Sequence, residues 1–136
     1  AAVADGLLEL AKTESKPANS IRALRGYIRV VTLAGARPDG ETFKMLEPAV
    51  KLASRAEEKR LILQRLPAVV VPEALELALS YLDEEELRGA AIDSASKLAE
   101  SLLPSEPERA KAGIRRILSV TIDPARRTRL ERLLTK

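Results

Sequence analysis

Leu87-Arg88-Gly89-Ala90-Ala91-Ile92-Asp93-Ser94-Ala95 is the stretch on which the fold turns. An apolar residue followed by Arg leads into a run of small side chains, and the apolar positions recur at spacings of three and four, the period of a helix face. Small aliphatic residues on such a face allow helices to pack closely. The same periodicity recurs along the whole chain, and nowhere does a run of alternating apolar and polar residues persist. The chain reads as all-α.

Helix boundaries follow from prolines and caps. Leu7, Leu8, Leu10 and Ala11 open a short helix that ends near Lys16-Pro17, because the residue before proline is pushed out of the α region. A second spans about 17–33, with Ile21, Leu24, Tyr27, Ile28 and Val31 as its stripe and Gly35 placed to close it. A third spans roughly 41–53 with Phe43, Leu46, Ala49, Val50 and Ala53 inward; Pro48 must kink it or mark its start. Ser54-Arg55-Ala56-Glu57 reads as a capping box for a fourth helix over 55–66, stopped by Pro67. Pro72-Glu73 starts the fifth, with Leu75, Ala78, Leu79 and Leu82 inward. Asp83-Glu84-Glu85-Glu86 reads as a capping box for the sixth, and Ser105-Glu106-Pro107-Glu108 as the cap of the seventh. Asp123-Pro124 opens the eighth with an N-cap and a proline at the first helical position.

The second, fourth, sixth and eighth helices can be laid over one another. Leu24, Leu63, Ile92 and Leu130 align, as do Tyr27, Leu66, Ala95 and Leu133, at intervals of 39, 29 and 38 residues. Four residues before the first set stand Ser20, Lys59, Arg88 and Arg126, three of them basic. The odd helices match more weakly, at Leu10-Ala11, Leu52-Ala53, Leu77-Ala78 and Ile117-Leu118. A helical pair of roughly 38 residues leaves an apolar face that only its neighbour can cover, which is the logic of a solenoid.

In residues 87–95, and in Ala23-Leu24-Arg25-Gly26-Tyr27-Ile28 and Pro72-Glu73-Ala74-Leu75-Glu76-Leu77-Ala78, the chain resembles HEAT/armadillo-type repeat proteins, in particular HEAT modules of larger bacterial proteins. The resemblance implies a right-handed α-α superhelix of about eight helices in four pairs, one domain over residues 1–136, in which second helices line a concave side. It further implies an exported origin, although the cytoplasm fits the composition equally. The chain opens on Ala1-Ala2-Val3-Ala4-Asp5, without an initiator Met or a basic segment followed by an apolar core, and so reads as part of a longer polypeptide.

Composition narrows function. Of 136 residues, 46% are hydrophobic and 32% charged, the balance of a folded chain. Cys and His are absent, so thiolate zinc sites, Cys nucleophiles and imidazole bases are excluded by inventory. No glycine-rich phosphate loop or nucleophile elbow occurs, and the 20 acids show no converging pair. The reading is a non-enzyme with no cofactor and no bound metal. No apolar run approaches a membrane span. Asp83 to Glu86 are consecutive rather than alternating, which fits a helix start better than a calcium loop.

Exposed positions of the second helices form the expected partner surface: Arg22, Arg25, Arg29, Lys59, Arg65, Asp93, Lys97 and Arg126. The bland alternative is that they solvate the helices or bridge neighbours as weak ion pairs. Residues 105–136 carry nine Lys/Arg against four Asp/Glu, while the rest carries 14 against 16. Arg115, Arg116, Arg127, Arg129 and Arg132 make a candidate basic patch for nucleic acid. With Tyr27, Phe43 and Tyr81 the only aromatics, base-stacking platforms are scarce, and cations complementing helix C-termini explain the patch better. Tyr27 and Phe43 read as packing anchors, and Val69-Val70-Val71 as a buried connector. The function expected is a protein-interaction or scaffold module whose partner is another protein or neighbouring domains. A nucleic-acid-binding domain is the alternative, and an accessory domain of a multidomain enzyme the second alternative.

Overall fold

Proline starts half of the helices. A computed structural model of the chain describes residues 2–13, 17–33 and 37–136. Its helices are α1 (Ala2–Thr13), α2 (Pro17–Val31), α3 (Asp39–Leu52), α4 (Ala56–Arg65), α5 (Pro72–Ser80), α6 (Arg88–Leu102), α7 (Pro107–Leu118) and α8 (Pro124–Leu134), with a 3-10 turn at Leu66–Ala68. Pro17, Pro72, Pro107 and Pro124 each occupy a first helical position, where the missing N–H would have had no partner anyway. No strand occurs among the described residues. The expectation about Gly35 lies outside them.

The chain divides into two compact units, residues 1–69 and 70–136. In the first, α2 packs against α1, α3 and α4, and α1 also meets α3. Its core is made by Leu24, Ile28, Val31, Leu46, Ile62 and Leu63, with Tyr27 buried and donating its hydroxyl to the Met45 carbonyl. Burial, and after it the charge of Asp5, push the Tyr27 hydroxyl above its ordinary pKa, against the opposing pull of Arg37. Phe43 is only half-buried, so of the two anchors expected it is Tyr27 that carries the packing. In the second unit, α6 packs against α5 and α7, α5 meets α7, and α7 meets α8. Leu75, Leu82, Leu87, Leu98, Leu102, Ile114 and Ile117 fill that core.

The two units share a register. Asp39 to Pro107 and Ala56 to Pro124, the starts of α3/α7 and α4/α8, are both 68 residues apart. At the same offset Ala23 answers Ala91, Tyr27 answers Ala95, Val31 answers Ala99, Leu46 answers Ile114 and Ala49 answers Ile117, all buried. Helix starts set Ile62 rather than Leu63 opposite Leu130. The sequence alignment misses this by one residue because Ile62 and Leu63 are both buried.

Three expected caps do not form. α4 begins after Arg55, α6 after Leu87 and α7 after Glu106, and none of these N-caps makes a side-chain bond. At α4 the buried acid is Glu58, which pairs with arginines instead of reaching back. At α6 the Asp83 to Glu86 run lies in exposed turns, and burial of Leu87 delays the helix. At α8 the expectation holds: the Asp123 carboxylate accepts from the Arg126 amide at 3.0 Å. Pro48 sits inside α3 and does not start it. Val69 is buried, while Val70 and Val71 are only half-buried.

Candidate functional site

Each unit carries charged hollows beside the ion pair that joins its two second helices. In the first unit the pair centres on Glu58, at the third position of α4. Its side chain is 2% exposed, and Arg25 of α2 donates Nε to Oε2 at 2.8 Å while the Nε of Arg55 lies 3.0 Å from Oε1. A buried carboxylate is costly unless its oxygens are bonded, and here each oxygen faces a guanidinium close to the positive end of α4. One hollow of about 270 Å³ is lined by Ser20, Ile21, Leu24, Leu52, Arg55 and Glu58, among others. A second, of about 260 Å³, is lined by Ala18, Ile21, Arg22, Arg25 and Arg55.

In the second unit Asp93 of α6 pairs with Arg126 of α8 at 3.3 Å and with Lys97 at 3.1 Å. Burial alone would raise the Asp93 carboxyl, but the bonds and charges of Lys97, then Arg126, more than offset it and hold the group below its ordinary pKa. Glu100 takes both its oxygens to Arg129, at 2.9 and 2.8 Å. These pairs line an open groove of about 480 Å³ together with Asp123, Leu130 and Leu133.

Of the expected partner surface, Arg22 and Arg25 therefore meet at the first unit's hollow, and Asp93, Lys97 and Arg126 at the second unit's groove. Arg29 is exposed on α2 while Lys59 and Arg65 are half-buried on α4, and these three do not line the hollows described. Glu58 and Arg55 escaped the sequence reading. The signal was present, since Glu58, Ile62 and Leu66 follow one another at intervals of four and place a carboxylate on an apolar stripe.

The basic patch is largely engaged within its own unit. Arg127 donates Nη1 to the carbonyls of Leu118, the last residue of α7, and Thr121, at 2.7 and 2.8 Å. Arg129 is held by Glu100, and Arg116 lies 3.6 Å from Asp83. Arg115 and Arg132 are exposed. The position expected to hold a base near the start of each second helix has a visible purpose: Ser20 donates to the Ala11 carbonyl of α1 at 2.7 Å, and Arg88 donates to the Leu82 carbonyl at 2.8 Å. In α8 it is Arg127, not Arg126, that pins the preceding helix, and Arg127 stands 68 residues after Lys59 as Arg88 does after Ser20.

Among the described residues no group of acids is arranged to hold a metal ion, and no helix is long and apolar enough to cross a membrane. Compared with protein-family models, with curated proteins and with solved structures, the chain matches none.

Proposed function

We propose that the chain is a HEAT/armadillo-type solenoid acting as a non-catalytic protein-interaction or scaffold module, with the exposed faces of its second helices forming a concave partner surface. One observation carries this reading. Within each unit, charged side chains of neighbouring second helices are fixed by cross-helix ion pairs beside open hollows, at Arg25–Glu58 and at Asp93–Arg126. Fixed charges at a solvent-facing groove give specificity and orientation to a partner more than raw affinity.

The nucleic-acid alternative is weaker, because Arg127 and Arg129 already satisfy carbonyls and a carboxylate, and a phosphate would have to displace them.

Photo-crosslinking from the intact chain tests the reading. A crosslinker at Arg29 or Lys97, on the second helices, is expected to capture a discrete partner from cells of the source organism. One at exposed Arg109 on α7 is expected to capture little. Charge reversal at Arg29 and Arg65, neither of which holds the Glu58 or the Asp93 pair, should weaken the capture from Lys97 with a nearly unchanged melting temperature. Equal labelling from all positions, or capture indifferent to the reversals, would remove the reading.

A further inference from the structure

Ala18, Ile21, Arg22 and Arg25 follow one another at helical intervals along one face of α2, and Arg55 closes the hollow they line. Three arginines thus line one small space whose lining includes no carboxylate; Glu58 lines the adjoining hollow and is buried. Through its two oxygens Glu58 engages Arg25 and Arg55 by Nε alone, and the exposed Glu57 carboxylate lies 3.3 Å from the same Arg55 Nε. A guanidinium has five N–H donors, and none of the Nη groups of Arg25 or Arg55 is hydrogen-bonded to a described residue. Arg22 is exposed and has no ion pair among the described residues. Two of the three forks are therefore held in place before any ligand arrives, which removes part of the ordering cost of binding.

The helix register does not by itself demand three cations here, although two of them pair the buried Glu58. At the 68-residue offset that superposes α3 on α7 and α4 on α8, Arg22, Arg25 and Arg55 answer to Ala90, Asp93 and Asp123. The second unit fills the equivalent places with a neutral residue and two acids and still packs its helices. At these three positions the positive charge belongs to the first unit alone.

Next to the arginines lies an apolar continuation. A hollow of about 300 Å³ lined by Leu7, Leu10, Asn19, Arg22 and Ala23 shares Arg22 with the first, and Leu10 is 50% exposed. We propose that this face of the first unit docks an acidic segment of a partner protein, its carboxylates on Arg22, Arg25 and Arg55 and an apolar side chain against Leu7 and Leu10. The inference rests on the protein-interaction reading and names the partner's chemistry. Guanidinium forks pair carboxylates in bidentate fashion, and the adjoining leucines favour a peptide over a phosphate chain.

The test is fluorescence anisotropy of the full chain with a labelled peptide in which a run of glutamates is followed by leucines. Binding is expected to fade with added salt, to be lost when glutamine replaces glutamate, and to weaken when serine replaces leucine. Arg22→Glu combined with Arg55→Glu should weaken it roughly tenfold or more, while Arg129→Glu in the second unit should leave it unchanged. Circular-dichroism melts of the variants show whether the fold is kept, and Arg22→Glu alone, at an exposed side chain, provides a variant that keeps Glu58 fully paired. The proposal would be overturned by equal binding of the glutamine peptide, by equal loss from Arg129→Glu, or by tighter binding of single-stranded DNA at the same hollow. Concentration-dependent self-association lost in Arg22→Glu would assign the hollow to a second copy instead. If the peptide fails while crosslinked capture at Lys97 persists, this inference falls and the general reading stands.

Discussion

Glu58 and Arg126 hold the same third position of α4 and α8, and each reaches back 33 residues to the preceding second helix, Glu58 to Arg25 and Arg126 to Asp93, with acid and base exchanged. The backbone sets where the contact falls and leaves the sign free. Burial differs sharply, since the Glu58 side chain is 2% exposed and that of Asp93 is 49%. Glu58→Ala takes the buried acceptor from Arg25 and leaves Arg55 only the exposed Glu57, and is expected to cost about 2 kcal/mol, the scale of a hydrogen bond to a charged group. Arg126→Ala, at a solvated pair, should cost under about 1 kcal/mol. Urea unfolding of the two variants compares them directly, and equal losses would mean that burial does not decide the strength of these pairs.

Asp93 gives the second unit an acid-sensitive contact. Its carboxyl is held below its ordinary pKa in the fold by Lys97 and Arg126. A depressed folded pKa means stability that is present above the unfolded value, near 3.9, and lost as pH falls through the folded one. Asp93→Asn should therefore lower the melting temperature at pH 7 yet shrink the further drop between pH 7 and pH 3. An unaltered acid drop would show that the pair does not couple to folding.

Much of this architecture was legible in residue order. Apolar spacing gave every helix, and prolines gave half of the starts, because both act within a few residues. The Asp123-Pro124 cap was readable for the same reason, with Asp123 bonding the amide three residues on. What local pattern could not supply was competition. Glu57 and Glu58 look alike as first-turn acids, and only the approach of Arg25 from α2 makes Glu58 the buried one. Arg127 and Arg126 are likewise adjacent bases, and which one pins α7 depends on a one-residue rotation that the alignment misses. The arginine hollow was half visible, through Arg22 and Arg25, but Arg55 was read as part of a cap.

Ser94 is buried in α6 and its hydroxyl has no hydrogen-bond partner among the described residues. It stands 68 residues after Gly26, so this point of the second helix accepts small side chains in both units. An unpaired buried hydroxyl carries its desolvation cost without return, and alanine is the better helix former. Ser94→Ala is expected to stabilise the protein by about 1 kcal/mol, read as a higher melting temperature. A destabilised variant would reveal a partner for the hydroxyl, such as a bound water.

Gly26 and Gly113 lie within α2 and α7, and both sit where another helix comes close, but the room beside them differs. A β-carbon at Gly26 would stand 3.4 Å from the Leu7 side chain, an ordinary van der Waals contact. One at Gly113 would stand 3.1 Å from Leu75 Cδ2, closer than such a carbon normally comes. Leu7 is half-buried, whereas Leu75 is fully enclosed in the second unit's core and has little room to retreat. Alanine in place of an interior helical glycine gains up to about 1 kcal/mol by restricting the unfolded chain. That gain should survive in Gly26→Ala and raise the melting temperature. In Gly113→Ala, overpacking against Leu75 costs about 1 to 3 kcal/mol and should outweigh it, lowering the melting temperature. Thermal melts of the two variants check the opposite signs, and replacing Leu75 by valine in the Gly113→Ala background should recover part of the loss. Stabilisation by Gly113→Ala alone would mean that α5 and α7 are free to separate by a few tenths of an ångström.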